Sequence, residues 1–162
     1  MDLPVCEVCA KSPILCSDCE KKLSDGVINE YDVEVSRVLY ELFADDARLT
    51  RAIETQDYVV LLTKSEDVGS VIGEGGLNIQ MISERLGRSV RVVGEGDFEN
   101  MVKAFIAPAR VKSINTVYRP RARKSVRVRI KRGDRGKLRN TLEDLGKLIS
   151  SISDVDVELA FD

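Results

Sequence analysis

Val68-Gly-Ser-Val-Ile-Gly-Glu-Gly-Gly-Leu-Asn-Ile-Gln-Met-Ile-Ser-Glu-Arg-Leu-Gly87 decides how the chain is read. Upstream of it, Tyr58-Val-Val-Leu-Leu-Thr63 is an apolar run of strand length, and downstream Ser89-Val-Arg-Val-Val93 is a second strand. Between them the sequence predicts a short turn of helix, then Gly73-Glu-Gly-Gly76, then a helix with Leu77, Met81 and Leu86 in its apolar pattern. Three glycines in four positions weaken a helix start. They suit a close backbone approach by a ligand, since a Cβ would hold that ligand away from the amides at the helix start. The plain alternative is a glycine-rich helix entry with no ligand.

The chain has 162 residues, enough for one ordinary domain or two small ones, and its 43% apolar and 32% charged residues fit a soluble globular protein. No apolar run reaches membrane-span length, and the first twenty residues carry acids and cysteines in place of a secretion signal. A cytoplasmic location without membrane contact is the expectation. Net charge is −2, but residues 1–100 hold 10 Lys/Arg against 20 Asp/Glu, while residues 101–162 hold 15 against 7. That division predicts an acidic half, suited to a basic protein partner, and a basic half that faces phosphates. The chain has no histidine, which removes Ser-His-Asp and Cys-His constellations. No pair of carboxylates stands in a recognisable motif, so the chain is read as a non-enzyme.

Cys6-Glu-Val-Cys9 and Cys16-Ser-Asp-Cys19 are two CxxC pairs six residues apart, and they use every cysteine in the chain. Each pair can present two thiolates from a tight turn, so the two complete a tetrahedral site for one structural zinc ion. Redox or disulfide chemistry, an iron–sulfur centre and no metal at all are the alternatives. A catalytic zinc is disfavoured, because four thiolates leave no position for water. Residues 1–25 are too few to bury a useful core, so the metal should supply much of the module's folding free energy. Lys11, Lys21 and Lys22 are candidates to offset the charge of the thiolates. Chelation is expected to loosen residues 1–25 and to leave the rest folded.

A helix is predicted over about 29–44, a strand over 47–55, and a boundary at Gly94-Glu-Gly-Asp97. Beyond it come a helix from Phe98 to Ala107, a strand from Val111 to Tyr118, the basic loop Arg119-Pro-Arg-Ala-Arg-Lys124, an alternating strand at 125–131, helices over about 134–151 and a strand from Val155 to Leu159. Shifting by 67 residues without a gap pairs Val59 with Val126, Leu61 with Val128, Ile82 with Ile149 and Val90 with Val157. The second half therefore reads as a repeat of the first. Gly133-Asp-Arg-Gly136 imitates the glycine loop, but the gapless register, which we prefer, makes Asn140-Thr-Leu-Glu143 its equivalent. On that register the second copy lacks the loop, and Glu143 would repel a phosphate. What it keeps is charge: residues 119–139 hold eleven Lys/Arg and one acid, Asp134. Arg127, Arg129 and Lys131 share one strand face. A solvated edge strand is the bland account of such a patch, and nucleic-acid phosphate is the functional one.

Ile72-Gly73-x-x-Gly76-x-x-Ile79-x-x-Ile82, with Val68-Gly69 before it, resembles the signature of the KH RNA-binding domain as it occurs in NusA-type transcription factors. Residues from about 30 to 162 resemble the archaeal, short form of NusA, and the cysteine module falls outside that pattern. The resemblance implies an α+β protein. It would comprise a Cys₄ zinc module at 1–25, a first type II KH domain at 29–95 with an intact GxxG, and a degenerate KH-like domain with a basic patch at 97–162. It further implies that the loop clamps single-stranded RNA through Ile72, Gly73, Glu74, Gly75, Gly76, Leu77 and Ile79. The pair Glu74-Gly75 departs from the basic pair of many KH loops. Cations would then have to come from Arg85 and Arg88, or from Arg119, Arg121, Arg123, Lys124, Arg127 and Arg129 of the second domain. The implied role lies in transcription elongation or termination, in contact with RNA polymerase; docking on a polymerase or a ribosomal protein belongs to the other reading. The rival is a zinc-containing adaptor in which the folded domains are scaffolding.

Overall fold

The apolar run at 59–63 and the alternating run at 125–130 each become the central strand of a three-stranded sheet. The structure is a computed structural model that describes residues 1–55, 58–117, 120, 124–138, 141–153 and 155–162. It is a mixed α+β chain in two units, Met1–Glu95 and Gly96–Asp162. Among the described residues no helix is long and apolar enough to cross a membrane.

In the first unit, α1 (Glu7–Lys11) and α2 (Ser17–Ser24) carry the cysteines and α3 (Glu30–Phe43) follows. Then come β1 (Arg51–Glu54), β2 (Val59–Thr63), α4 (Val68–Ile72), α5 (Leu77–Leu86) and β3 (Val90–Gly94). β2 pairs antiparallel with β1 (Ala52 opposite Leu61) and parallel with β3 (Val59 opposite Val90). Val35 and Leu39 of α3, Val71 of α4 and Ile82 of α5 close over Ala52, Val59, Leu61 and Val90. Full burial of a side chain such as Leu39, Leu61 or Ile82 contributes about 2 kcal/mol. Ile82 is therefore core and not part of a groove surface.

Local chemistry sets the start of α3. Asn29 and Asp32 form a capping box, each side chain accepting the other's backbone N–H at 2.9 Å. The same pair grips β1: Ala52 N–H donates to Asp32 Oδ1 at 2.6 Å, and Asn29 Nδ2 donates to Ala52 O at 2.9 Å. Burial raises the Asp32 carboxyl above its usual range, and these N–H donors offset part of that cost. One helix start is thereby bolted to one strand.

The cysteine segment is not a separate module hung on this core. Cys9 and Cys19 are buried with Val5, Ala10, Ile28 and Val33, and Val33 belongs to α3. Arg37 of α3 also donates its Nε–H to Cys9 O at 3.3 Å. At the chain start, Asp2 N–H bonds Ala47 O at 3.0 Å, and Leu49 N–H bonds Asp2 O at 2.8 Å. The cysteine segment thus shares α3 with the sheet core. One helix serves two cores.

In the second unit, α6 (Phe98–Ile106) leads to β4 (Val111–Val117), β5 (Ser125–Ile130), α7 (Leu142–Ser153) and β6 (Asp156–Phe161). β5 pairs antiparallel with β4 and parallel with β6, with Val126 opposite Val157. Val59 and Val90 are opposite each other in the first sheet, so both pairings carry the same 67-residue offset. Val126, Val128 and Ile130 turn inward to a core that also takes Leu145 and Ile149 of α7. Between β5 and α7 runs a turn of 3-10 helix, Arg132–Lys137.

Candidate metal centre and nucleic-acid interface

Cys6 is the N-cap of α1 and Cys16 that of α2, so each CxxC pair spans a helix start. The four sulfurs lie within 4.8 Å of one another, and Cys6 Sγ and Cys16 Sγ are 3.9 Å apart. Tetrahedral coordination at about 2.3 Å from a zinc ion requires sulfur spacings of about 3.8 Å. The cluster fits a metal ion. Two backbone amides aim at the sulfurs: Cys16 N–H donates to Cys9 Sγ at 3.1 Å and Cys19 N–H to Cys16 Sγ at 3.4 Å. The second of these lowers the Cys16 thiol to about 7, whereas burial pushes Cys9 up to about 12 and raises Cys19. A bound divalent cation would supply the charge that lets buried thiols ionise. The lysines named as charge partners serve otherwise in one case: Lys11 bonds Glu7 at 2.9 Å and lies 5.3 Å from the Tyr40 ring centre. Arg37, which spacing along the chain did not suggest, is the cation that bonds a ligand's backbone.

The glycine loop joins α4 to α5 at one end of the first unit. Gly73, Gly75 and Gly76 have φ of 77°, 62° and 77°, a region that side-chain-bearing residues avoid. Gly73 is doubly constrained, because a Cβ there would lie 2.6 Å from the Asn78 side chain. Asn78 Nδ2 in turn donates to Ser70 O at 2.9 Å, stapling the end of α4 to the start of α5. Around Gly75 and Gly76 there is open space. The N-cap Gly76 offers no side chain to α5; the turn closes on itself instead, with Gly76 N–H bonding Gly73 O at 3.2 Å and Leu77 N–H bonding Glu74 O. Glu74 and Leu77 are exposed, and Ile72 and Ile79 are half-buried beside them.

Arg85 and Arg88 do not join this loop. They lie near the far end of α5, about 13 Å or more along a helix that rises 1.5 Å per residue. Arg85 pairs with Glu41 of α3. Arg88 pairs with Glu54 at 2.7 Å and donates to Tyr31 Oη at 3.2 Å and Thr55 O at 3.3 Å. Both guanidiniums fasten α5 to its neighbours.

In the second unit the equivalent position is built differently. Gly133 and Gly136 lie inside the 3-10 turn after β5, outside the positive-φ region and in open surroundings. The acid between them, Asp134, is 1% exposed and accepts from Arg110 Nε and Arg110 N–H, both at 2.9 Å, and from Lys137 at 3.0 Å. Those cations hold its carboxyl well below the usual range. At the start of α7 the Thr141 hydroxyl accepts the Asp144 N–H at 3.1 Å, so a capped helix stands where the first unit has its open loop. Asn140, Arg119, Arg121 and Arg123 lie outside the described residues. Lys124 and Arg129 are exposed, and Arg127 is half-buried with Glu158 at 3.5 Å.

No family model matches this chain, and no curated protein matches it. Among solved structures it is similar to the crystal structure of APE1850, at 22% identity over 78% of this chain and 96% of that one, with a TM-score of 0.45.

Proposed function

We propose that the chain is a zinc-bearing, non-catalytic protein that binds single-stranded RNA through two tandem KH-like units of type II, in the manner of the archaeal short form of NusA. One observation carries the reading. The turn into α5 is built of three positive-φ glycines with open space around two of them, so a sugar-phosphate chain can approach its backbone closely. Glu74 and the removal of Arg85 and Arg88 to other duties make this a weak clamp alone. The cations of the second unit, Lys124, Arg127 and Arg129 with Arg119, Arg121 and Arg123, then supply attraction without base reading. Cys6, Cys9, Cys16 and Cys19 hold the zinc ion. The setting is transcription elongation or termination.

Titrating the full chain with a short single-stranded RNA, followed by NMR, tests this. Amides of Gly73 to Leu77 should shift first, and Gly75→Asp with Gly76→Asp should remove the response. Reversing charge at Arg121 and Arg123 should weaken all RNAs alike and flatten the slope of log affinity against log salt by roughly 0.7 for each phosphate no longer neutralised. Shifts confined to residues 119–129 would sink the clamp. The adaptor reading keeps one observation in its favour: Val8 and Ile14, beside the cysteines, are 68% and 76% exposed. Capture of polymerase or a ribosomal protein that survives nuclease treatment would favour it.

A further inference from the structure

Beside the glycine turn the first unit holds a cavity of about 380 Å³, within the size range of small-ligand pockets. Phe43 of α3 and Val71 of α4 give it an apolar wall, and Asp46, Arg48 and Asp67 bring charge to it. Ser70 and Asn78 line it too. Asn78 Nδ2 bonds Ser70 O at 2.9 Å and Asn78 lies against Gly73, so cavity and glycine turn share a wall. None of the three charged groups is paired. Arg48 is half-buried, and among the described residues its guanidinium has no ion pair or hydrogen bond. Asp67 occupies the N-cap of α4, where an aspartate ordinarily accepts a backbone N–H of the first turn, yet its side chain makes no such bond. Lys64, which Asp67 influences through space, is bonded to Asp2 at 3.1 Å. Asp46 ends the 3-10 turn Ala44–Asp46, likewise without a side-chain partner among the described residues.

Mixed charge decides the occupant. Two carboxylates against one guanidinium repel a phosphate, and Asp45 and Glu66, next to them in the chain, add to that repulsion. Arg48 in turn repels a lysine or arginine from a partner protein. A neutral group that accepts on one edge and donates on the next satisfies both signs. Guanine is that group among the bases: its O6 and N7 accept a guanidinium bidentately, and its N1–H and N2 amino group donate to carboxylates. Adenine lacks the acceptor pair, and uracil and cytosine lack the second donor group. We propose that this cavity takes a guanine base turned out of the RNA strand held at Gly73–Gly76. Arg48 bonds its O6 and N7, Asp67 takes its N1 and N2 donors, and the ring lies against the Phe43 and Val71 wall. The inference rests on the RNA reading and adds a base preference, which a turn that meets only the sugar-phosphate backbone does not supply.

Fluorescence anisotropy with the full-length chain tests the inference. The probes are heptauridine, the same strand with its central base replaced by guanine, cytosine, adenine or hypoxanthine, and free guanosine monophosphate. The guanine strand should bind about tenfold or more tighter than heptauridine. Hypoxanthine, which lacks the N2 amino group, should lose part of that gain. Arg48→Gln and Asp67→Asn, at positions whose side chains bond nothing in the fold, should each bring the ratio of guanine to uracil affinity close to one. Equal affinity for the guanine strand and heptauridine would overturn the inference and leave the RNA reading standing. So would an equal gain from cytosine or adenine, or a guanine preference that survives both substitutions. Guanosine monophosphate bound as tightly as the strand would overturn RNA as the source of the base. A chain that binds none of the strands would overturn the RNA reading and the inference together.

Discussion

β2 and β5 occupy the same place in sheets of the same order, yet β2 is buried at all five positions while β5 alternates. Val59-Val-Leu-Leu-Thr63 leaves no polar side chain but a threonine, whereas Val126-Arg-Val-Arg-Ile130 sends an arginine outward at every second residue. The same contrast recurs further along. The last helix before the third strand is entered through a glycine turn with open space in the first unit, and in the second through a start capped by Thr141 that follows a 3-10 turn pinned by a buried carboxylate. A repeated scaffold can thus hold opposite surface chemistry, because core positions and exposed positions are set by different residues of each period. The four-cysteine segment adds a further asymmetry, since it packs on α3 of the first unit.

The largest test of that asymmetry is metal removal. Structural zinc supplies on the order of 10 kcal/mol to the folding of small peptides, and here Cys9 and Cys19 share a cluster with Val33 of α3. Chelation should therefore strip hydrogen-exchange protection from α3 as well as from residues 1–25, and leave β5 and β6 protected. Intact protection of α3 in the metal-free chain would show the two cores of that helix to be independent.

Next comes Asp134, whose replacement by asparagine should lower the unfolding midpoint of the second unit and spare the first. Arg110 and Lys137 hold its carboxyl below the ordinary value of about 3.9. Its contribution is then complete above about pH 4 and is lost as pH falls from there toward the lowered value. Acid titration of unfolding should show this loss in the native chain, and Asp134→Asn should flatten it. An unchanged acid limb would remove the carboxylate from the account.

The two glycine motifs give a sharper contrast at smaller scale. Gly73→Ala forces a side chain into positive φ against Asn78 and should cost about 2 kcal/mol or more. Gly133→Ala meets ordinary φ and open space and should stay within about 0.5 kcal/mol. Denaturant unfolding of both variants decides whether only the first motif is a conformational device. Smallest is the end of α3, where Ala44 has φ of 47°, while α6 ends at Ala107 with φ of −55°. Ala44→Gly should gain at most about 1 kcal/mol in the same measurement, and Ala107→Gly should gain nothing.

Periodicity, glycine placement and cysteine spacing were enough to read the mixture of helices and strands, the 67-residue offset and the four-sulfur cluster directly from the chain. These are local signals: a period of two marks a strand face, a positive φ demands glycine, and a tight turn brings two thiols together. Contacts between distant elements were decided by tertiary structure. Arg85 and Arg88 read as cations for the loop, but the end of α5 and the turn after it carry them to Glu41 and Glu54. Asp134 looked like a stray acid in a basic run and is a buried anchor for Arg110, 24 residues away. Arg37 and Asn78 had no sequence signature, since each owes its role to which neighbour the fold sets beside it. A side chain's type limits the bonds it can make, and only the packed register of helices and strands selects among them.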